Sequence, residues 1–212
     1  MSSPTNWMKK EYDDLVKKGF DWKPPVIGGP STGRAIIDDK ERIMLCANNY
    51  LSMSNHPKVK QAAIDAVKSH GAGSGSVRPI AGNMDIHNEL EDTIARFKNR
   101  EAALYYQTGF AVNSGLIPQL AGKNDSIISD QLNHGSIIVG VRLSGVKKEN
   151  RTIYAHNDMG ELEDRLKEAT KKSEKTLVIS DGVFSMDGDI APLDEITKSV
   201  SYTHLRAHET SH

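Results

Sequence analysis

The chain is poor in several kinds of residue, and each scarcity excludes a class of protein. It contains one cysteine, Cys46, in 212 residues, so no internal disulfide can form and a reducing, cytoplasmic location is expected. No apolar run approaches the roughly 18 residues that a bilayer crossing needs, so we expect no membrane partner. The first residues hold no apolar core and include Glu11, Asp13 and Asp14, which argues against a targeting peptide.

An excess of charge is also missing. Lysine and arginine number 27 and aspartate and glutamate 28, for a formal net charge of −1. Binding to nucleic acid or to an anionic membrane relies on a basic surplus, so neither is an expected partner. Hydrophobic residues make up 37% and charged residues 26%, which is typical of a globular protein with its own core.

The first part of the chain predicts a helical arm followed by a hairpin. Residues 6–19 have the pattern of a short helix that ends at Gly19. Two short strands are predicted at residues 34–37 and 42–47, around a turn of acidic residues. We assign residues 1–56 to this N-terminal arm and hairpin. A helix then begins at Pro57 and ends at Gly71, and an amphipathic helix follows over 86–97.

From residue 102 onward, strands and helices alternate. The segments "AALYYQ", "DSIISD", "RTIYA" and "KTLVISD" have the apolar character of buried strands, and each is followed by a helical or loop segment. Regular alternation of this kind predicts an α/β fold with a mostly parallel sheet flanked by helices, in a domain over residues 57–198. Ligands of such sheets bind at the carboxyl ends of the strands, so the loops there are the candidate site.

The glycine-rich stretch from Gly71 to Ser76 resembles a dinucleotide-binding loop only in its letters. That motif requires a strand before the glycines, and here an amphipathic helix precedes them. Two interpretations stay open from the residues alone. The stretch is either a flexible connection after a helix end, or a segment that faces a ligand or a partner subunit.

The segment "YYQTGFAVN" places a small pair, Thr108 and Gly109, where a predicted strand gives way to a helix. The first N–H groups of a helix lack partners within the helix, and its dipole is positive there, so an anion such as phosphate can bind. The alternative is a plain helix start that Thr108 caps.

Two further loops carry polar side chains just after predicted strands. "ISDQLNHGS" presents Asp130, Asn133 and His134, and the histidine is either a base, a stacking surface or a ligand, or only a hydrogen-bonding residue at a helix start. "ISDGVFSMDGD" lacks the spacing of a calcium loop and offers the hydroxyl of Ser185. No second histidine lies at metal-ligand spacing from His134, so we expect no metal.

Taken in order, six motifs resemble those of the α-oxoamine synthases, which are pyridoxal-phosphate enzymes of the fold type I aminotransferase class. They are "CANNYLSMSNHP", "SHGAGSGSVRPIAGNMDIHNELE", "TGFAVN", "SDQLNHGSIIVGVRLS", "HNDMGELEDRLKEA" and "SDGVFSMDGDIAPL". The resemblance covers residues 5–198 and the N-terminal half of the family. It implies a large cofactor-binding domain, present in part over 57–198, and pyridoxal 5′-phosphate as cofactor.

The resemblance also implies a reaction, a condensation of an amino acid with an acyl-CoA thioester in which the cofactor ring acts as electron sink. Within the family, "CANNYL" and "NHGSIIVGVRL" are most similar to glycine C-acetyltransferase. We therefore expect glycine and acetyl-CoA as substrates, 2-amino-3-ketobutyrate as product or, in reverse, as substrate, and a homodimer. The alternative is 8-amino-7-oxononanoate synthase or another member.

Five residues match functional positions of the family. Gly109 and Phe110 match the backbone contact to the cofactor phosphate, and His134 matches the catalytic histidine that stacks on the pyridine ring near the substrate. Ser185 matches the serine beside the phenolic oxygen, and Asn48 matches the asparagine that holds the substrate carboxylate. The resemblance further places the glycine stretch near the dimer interface.

The family pattern breaks off near Lys198, and residues 199–212 resemble no part of it. The family's Schiff-base lysine and the aspartate that pairs with the pyridine nitrogen belong to motifs beyond this point. We therefore expect the chain by itself to be a catalytically inactive, truncated polypeptide. The tail histidines His204, His208 and His212 are not interpreted as a site, despite their regular spacing.

Overall fold

The computed structural model describes residues 4–202. They fall into two compact units, one up to Met84 and one from Asp85 onward. The boundaries that we predict at residues 56 and 198 follow the motifs and stay predictions. The last helix crosses the second of these boundaries, since it runs to Tyr202 and buries Val200.

The first unit contains the predicted arm, hairpin and helix. Helix α1 spans Asn6–Lys17, strand β1 (Arg34–Ile37) pairs antiparallel with β2 (Lys40–Ile43), and α2 spans Pro57–His70. Strand β2 begins and ends earlier than the predicted 42–47, because the turn closes at Asp38 and Asp39. Both have positive φ, 48° and 62°, which aspartate tolerates better than most residues.

The second unit begins with two helices and then builds a parallel sheet. Its elements are α3 (Asp85–Phe97), α4 (Gly109–Leu120), β3 (Ser126–Asp130), α5 (Gly135–Leu143), β4 (Arg151–Tyr154), α6 (Met159–Ala169), β5 (Thr176–Ile179) and α7 (Leu193–Tyr202). The strand order is β4-β3-β5, and β3 is parallel to both neighbours. The predicted α/β class and parallel sheet are confirmed.

The strand predicted at "AALYYQ" is wrong. Residues 102–107 form no strand in the structure, and the N–H of Tyr105 donates instead to Glu91 Oε1 of α3, at 2.8 Å. A short apolar run fits a buried strand as well as any other extended segment, and periodicity alone does not separate them. Within residues 4–202 this run pairs with no strand of the sheet.

Both faces of the sheet are covered, because successive residues of β3 point to opposite sides. Ile128 packs in one cluster with Tyr154, α6 and α7, whereas Ile127 packs in a second cluster with α4 and α5. All residues of β3 are buried. The central strand therefore fixes where the loops at its carboxyl end lie.

Helices α4 and α5 are in close contact at Gly140. A Cβ added there would lie 2.3 Å from the carbonyl oxygen of Asn113 and 2.8 Å from Ile117 Cδ1. Real Cβ atoms do not approach a backbone oxygen so closely, so this position requires glycine. Among the described residues, no helix has the length and apolar character of a membrane span.

We predict that Gly140→Ala lowers the free energy of unfolding by about 1–3 kcal/mol, because the added methyl group overpacks the contact between α4 and α5. Gly115→Ala, also in this helix pair, is the matched control, since its Cβ would meet only Tyr106 Cε1 at 3.8 Å. Urea unfolding of both variants measures the difference. Equal stability of the two variants would contradict the packing argument.

Candidate functional site

The start of α4 has the form of an anion site. Thr108 has extended backbone and its Oγ1 accepts from the N–H of Ala111 at 3.0 Å, which confirms the helix cap that the sequence offers as the alternative, while phosphate binding stays a prediction. The cap satisfies the third helical amide, and the N–H groups of Gly109 and Phe110 precede any acceptor within the helix. A Cβ at Gly109 would meet nothing within 4 Å, which leaves room for a ligand against the backbone.

His134 is the N-cap residue of α5. Its Nδ1 accepts from the N–H of Ser136 at 3.2 Å and lies 2.7 Å from Ser136 Oγ. The hydroxyl of Ser136 also accepts from Asn113 Nδ2, at 2.9 Å. Because Asn113 lies one turn after Gly109 on α4, these hydrogen bonds tie the histidine ring to the helix whose start is the candidate phosphate site.

The loop after β5 holds the histidine from the other side. Asp181 Oδ2 accepts from the backbone N–H of His134 at 2.7 Å. The N–H of Asp181 in turn donates to Asn133 Oδ1 at 2.7 Å, and Asn133 Nδ2 donates to the carbonyl oxygen of Ile179, also at 2.7 Å. Asn133 is buried, so its amide joins the ends of β3 and β5 with little freedom.

Ser185 lies four residues beyond Asp181, in an exposed turn. The turn is closed by Phe184, whose N–H donates to the carbonyl oxygen of Asp189 at 2.8 Å and whose own carbonyl oxygen accepts from Gly188 at 2.7 Å. The structure thus joins His134 to α4 and to the segment that carries Ser185. Among the described residues, no hydrogen bond joins Ser185 itself to His134.

Asn48 lies in the first unit and is exposed. Its neighbour Asn49 has a structural role, since its side chain donates to the carbonyl oxygen of Ser31 and accepts from the N–H of Ser54. The two asparagines of "CANNYL" are therefore not equivalent, and Asn48 is the one left exposed. Its predicted contact to a substrate carboxylate stays a prediction.

The structure adds positioning residues that the sequence analysis does not identify as such. They are Asn113, Asn133, Ser136, His156 and Asp181. Each is polar and lies at the carboxyl end of a strand or within a turn of a helix start, and this position is the signal that could have selected them. Their partners, however, lie about 20–50 residues away in the chain, so the pairings are visible only in three dimensions.

Two shallow depressions of about 390 Å³ and 430 Å³ lie away from these loops. The first is lined by residues that precede the strands, such as Lys123, Lys147 and Ser173, and the second lies along α1. Neither includes Gly109, His134 or Ser185.

Solved structures with this fold define the class of the protein. A serine palmitoyltransferase from S. paucimobilis with bound PLP-myriocin matches with a TM-score of 0.84 and 30% identity, over 95% of this chain and 50% of that one. The Sphingomonas wittichii serine palmitoyltransferase matches with a TM-score of 0.83 and 31% identity, over 96% and 50%. The class is that of the fold type I pyridoxal-phosphate proteins.

Residues 40–206 match the family described as aminotransferase class I and II, and the chain belongs to that family. The 8-amino-7-oxononanoate synthase of Thermoanaerobacter pseudethanolicus is 50% identical over 91% of this chain, and that of Alkaliphilus metalliredigens is 48% identical over 91%. The chain spans about half the length of these curated relatives, 48% in each case. Both kinds of relative are α-oxoamine synthases, which confirms the predicted resemblance.

The family and the PLP-bound relative together indicate pyridoxal 5′-phosphate as the cofactor. The residues present fit its phosphate, because the start of α4 offers amides without helical partners and an open approach at Gly109. They also fit an aromatic ring beside them, since His134 is exposed and held at its backbone and at Nδ1.

We predict that Asp181→Ala lowers the free energy of unfolding by about 1–3 kcal/mol, because the N–H of His134 loses a charged acceptor. Asp181→Asn loses less, since the amide oxygen still accepts that hydrogen bond. Asp187→Ala, an exposed aspartate of the same segment, changes stability by no more than about 0.5 kcal/mol. Urea unfolding ranks the three variants, and an Asp181→Ala protein as stable as Asp187→Ala would show that the contact is unimportant.

Proposed function

We propose that the protein containing this chain is a pyridoxal-phosphate-dependent α-oxoamine synthase whose product is 8-amino-7-oxononanoate. The observation that carries the proposal is the 48–50% identity to two synthases of that name over 91% of this chain. The site is consistent with it, because the start of α4 and His134 offer what a phosphate and a planar ring require.

This proposal favours 8-amino-7-oxononanoate synthase, the alternative in the sequence analysis, over the glycine C-acetyltransferase that was expected first. The short strings "CANNYL" and "NHGSIIVGVRL" favour the acetyltransferase, but the relatives reported above carry the name of the other synthase. Short strings around a shared cofactor are common to members with different acyl substrates. Identity over nearly the whole chain is therefore the better guide.

The chemistry of the product indicates the substrates. It is an amino ketone, and a condensation of an amino acid with an acyl thioester forms it by joining the α-carbon to the acyl carbon. The two-carbon end with its amino group comes from alanine, which loses its carboxylate as CO₂. The remaining carbons come from a thioester of heptanedioic acid, whose thiol leaves. Alanine and this thioester are thus the proposed pair.

The residues of the chain divide the binding work. The amides of Gly109 and Phe110 bind the cofactor phosphate, with the positive end of the α4 dipole behind them. His134 offers its ring face to the pyridine ring, and Ser185 donates to the phenolic oxygen. When bound, the cofactor supplies an electron sink for charge that develops at the substrate α-carbon. Asn48 holds the carboxylate of the amino-acid substrate.

The positioning of His134 is the part of this work for which the structure supplies contacts. Asp181 accepts from its backbone N–H, and Ser136 meets its Nδ1. A ring that is fixed at both points stacks without a further loss of conformational freedom when the ligand binds. Ser136 in turn accepts from Asn113, so hydrogen bonds connect the ring to the helix that carries the proposed phosphate site.

We further propose that the protein is a cytoplasmic homodimer. Several large apolar side chains of the first unit are more than 80% exposed, namely Leu45, Tyr50, Leu51 and Ile80. Apolar surface of this extent is typical of an interface.

The single cysteine, Cys46, is exposed and free, which suits a reducing compartment.

We predict that the full-length protein converts alanine and the CoA thioester of heptanedioic acid to 8-amino-7-oxononanoate, with release of CO₂ and free thiol. For glycine with acetyl-CoA we expect a kcat/KM lower by at least about tenfold, because a pocket built to hydrogen-bond a substrate's polar end rejects a substrate that lacks it. Mass spectrometry of the product and a thiol assay measure both reactions. A higher kcat/KM for glycine and acetyl-CoA would contradict the proposal and favour glycine C-acetyltransferase.

We predict that the 212-residue chain, incubated with pyridoxal phosphate and borohydride, carries no stoichiometric label on any single lysine. No lysine of this chain matches the family's Schiff-base motif. Peptide mapping by mass spectrometry is the measurement, and the full-length protein is the positive control. One fully labelled lysine within residues 1–212 would contradict the prediction.

A further inference from the structure

His156 lies between two loops of the candidate site. It follows β4, and its side chain is largely buried, with 18% exposed. Its Nδ1 lies 3.0 Å from Asp130 Oδ1, at the end of β3, and its Nε2 lies 3.2 Å from Asp189 Oδ2, in the loop after β5. One imidazole therefore bridges carboxylates that belong to different crossovers.

Each of the two carboxylates belongs to a segment of the proposed site. Asp130 is buried and accepts from the N–H of Leu132 at 2.8 Å, in the segment that leads to His134. The backbone of Asp189 accepts from Phe184 and so closes the turn that contains Ser185. The ring of Phe184 packs edge-on against His156, with centroids 4.3 Å apart and an interplanar angle of 84°.

We propose that His156 is a positioning residue that clamps the turn containing Ser185 to the end of β3 and thereby sets the position of the Ser185 hydroxyl. The role of Ser185 rests on the proposed function, whereas the clamp does not. Within residues 4–202, no group of three or more histidine, cysteine, aspartate or glutamate side chains has the geometry to hold a metal ion.

The bridge requires a charged imidazole. A neutral ring has one N–H and donates to one carboxylate only, whereas the imidazolium donates to both. The hydrogen bond that His156 donates to Asp130 raises the pKa of His156 above its usual value, and Asp189 raises it further, against the opposing effect of burial. Both carboxylates thus favour the state that bridges them.

The other groups around His156 do not compete for this charge. Phe184 is apolar, and burial together with the charge of Asp130 raises the pKa of Tyr154, so its phenol stays neutral. Asn157 Nδ2 lies 3.1 Å from His156 Nε2, and in the described part of the chain the buried Asn157 Oδ1 lacks a partner. Rotating that amide by half a turn removes a contact between two donors and lets the Asn157 oxygen share the Nε2–H of the imidazolium with Asp189.

The direction of the pH dependence follows. The pKa of His156 is higher in the folded state than in the unfolded state, where it is near 6.5. The stabilisation by the clamp is therefore fully present below about pH 6.5 and is lost as the pH rises through the folded pKa. At high pH one of the two hydrogen bonds is given up. The exposed Asp189, 55% accessible at its side chain, is the partner that is released.

Amide hydrogen exchange of the full-length protein tests whether His156 clamps the turn that contains Ser185. The amides of Phe184 and Gly188 close the turn, and we expect their protection, corrected for intrinsic rates, to fall several-fold between pH 6 and pH 9, because His156 then donates to one carboxylate only. In His156→Gln the protection is low and independent of pH. Asp189→Ala leaves β3 untouched and removes the acceptor at His156 Nε2, so it has the same effect, which covers the case in which His156→Gln does not fold.

The matched control is His87→Gln, because His87 stacks on Tyr105 and lies outside this network. It keeps the pH-dependent protection of the wild type. Ring signals of His156 in a nuclear magnetic resonance titration give the pKa directly, and Asp189→Asn lowers it. Protection that does not change with pH in the wild type, or a His156 pKa unaffected by Asp189→Asn, would overturn the clamp.

A double-mutant cycle in the full-length protein connects the clamp to the cofactor. The readout is the dissociation constant of pyridoxamine phosphate, which binds without a covalent bond. Ser185→Ala weakens binding several-fold in the wild type and little in His156→Gln, because the hydroxyl is no longer held in place. Additive effects would show that His156 does not act through Ser185. If Ser185→Ala does not change binding in the wild type, the proposed role of Ser185 is contradicted. The hydrogen-exchange experiment tests the contacts of His156 independently of that role.

Discussion

The candidate site depends on one buried carboxylate, that of Asp130 at the end of the central strand. A buried carboxylate is tolerated only when hydrogen bonds replace its water. Asp130 obtains them from the N–H groups of Leu132 and Asn157 and from His156. These donors come from the loops after β3 and β4. The hydrogen bonds to Asp130 therefore hold both loops at the same edge of the sheet.

Much of the fold can be predicted from the sequence because its determinants are local. Apolar runs and helix starts predict β3, β4, β5 and the helices between them, and Asp158 caps α6 through the N–H of Glu161 as its spacing from that residue predicts. Local patterns fail where the partner is distant. Residues 102–107 look like a strand, but whether they pair depends on which strand edges the rest of the chain offers.

The site is predictable in part for the same reason. Thr108 and Gly109 are recognisable as a helix start, and His134 is recognisable by its place after a strand. What fixes them is not local. Asp181 reaches His134 across 47 residues of sequence, and Asn133 reaches Ile179 across 46. A motif also identifies the shared cofactor chemistry better than the acyl group, which is why the short strings favour one synthase and the overall identity favours another.

Two glycines of the α4–α5 pair illustrate two sources of constraint. Gly140 admits no side chain because the neighbouring helix occupies the space, whereas at Gly109 the space is empty. A requirement for glycine at the first position is imposed by the polypeptide itself and is felt whether or not a small molecule is present. A requirement at the second would come from a group that binds there, since no described atom lies within 4 Å of the added Cβ. Tolerance to substitution at these two positions therefore separates selection for folding from selection for recognition, within a single pair of helices.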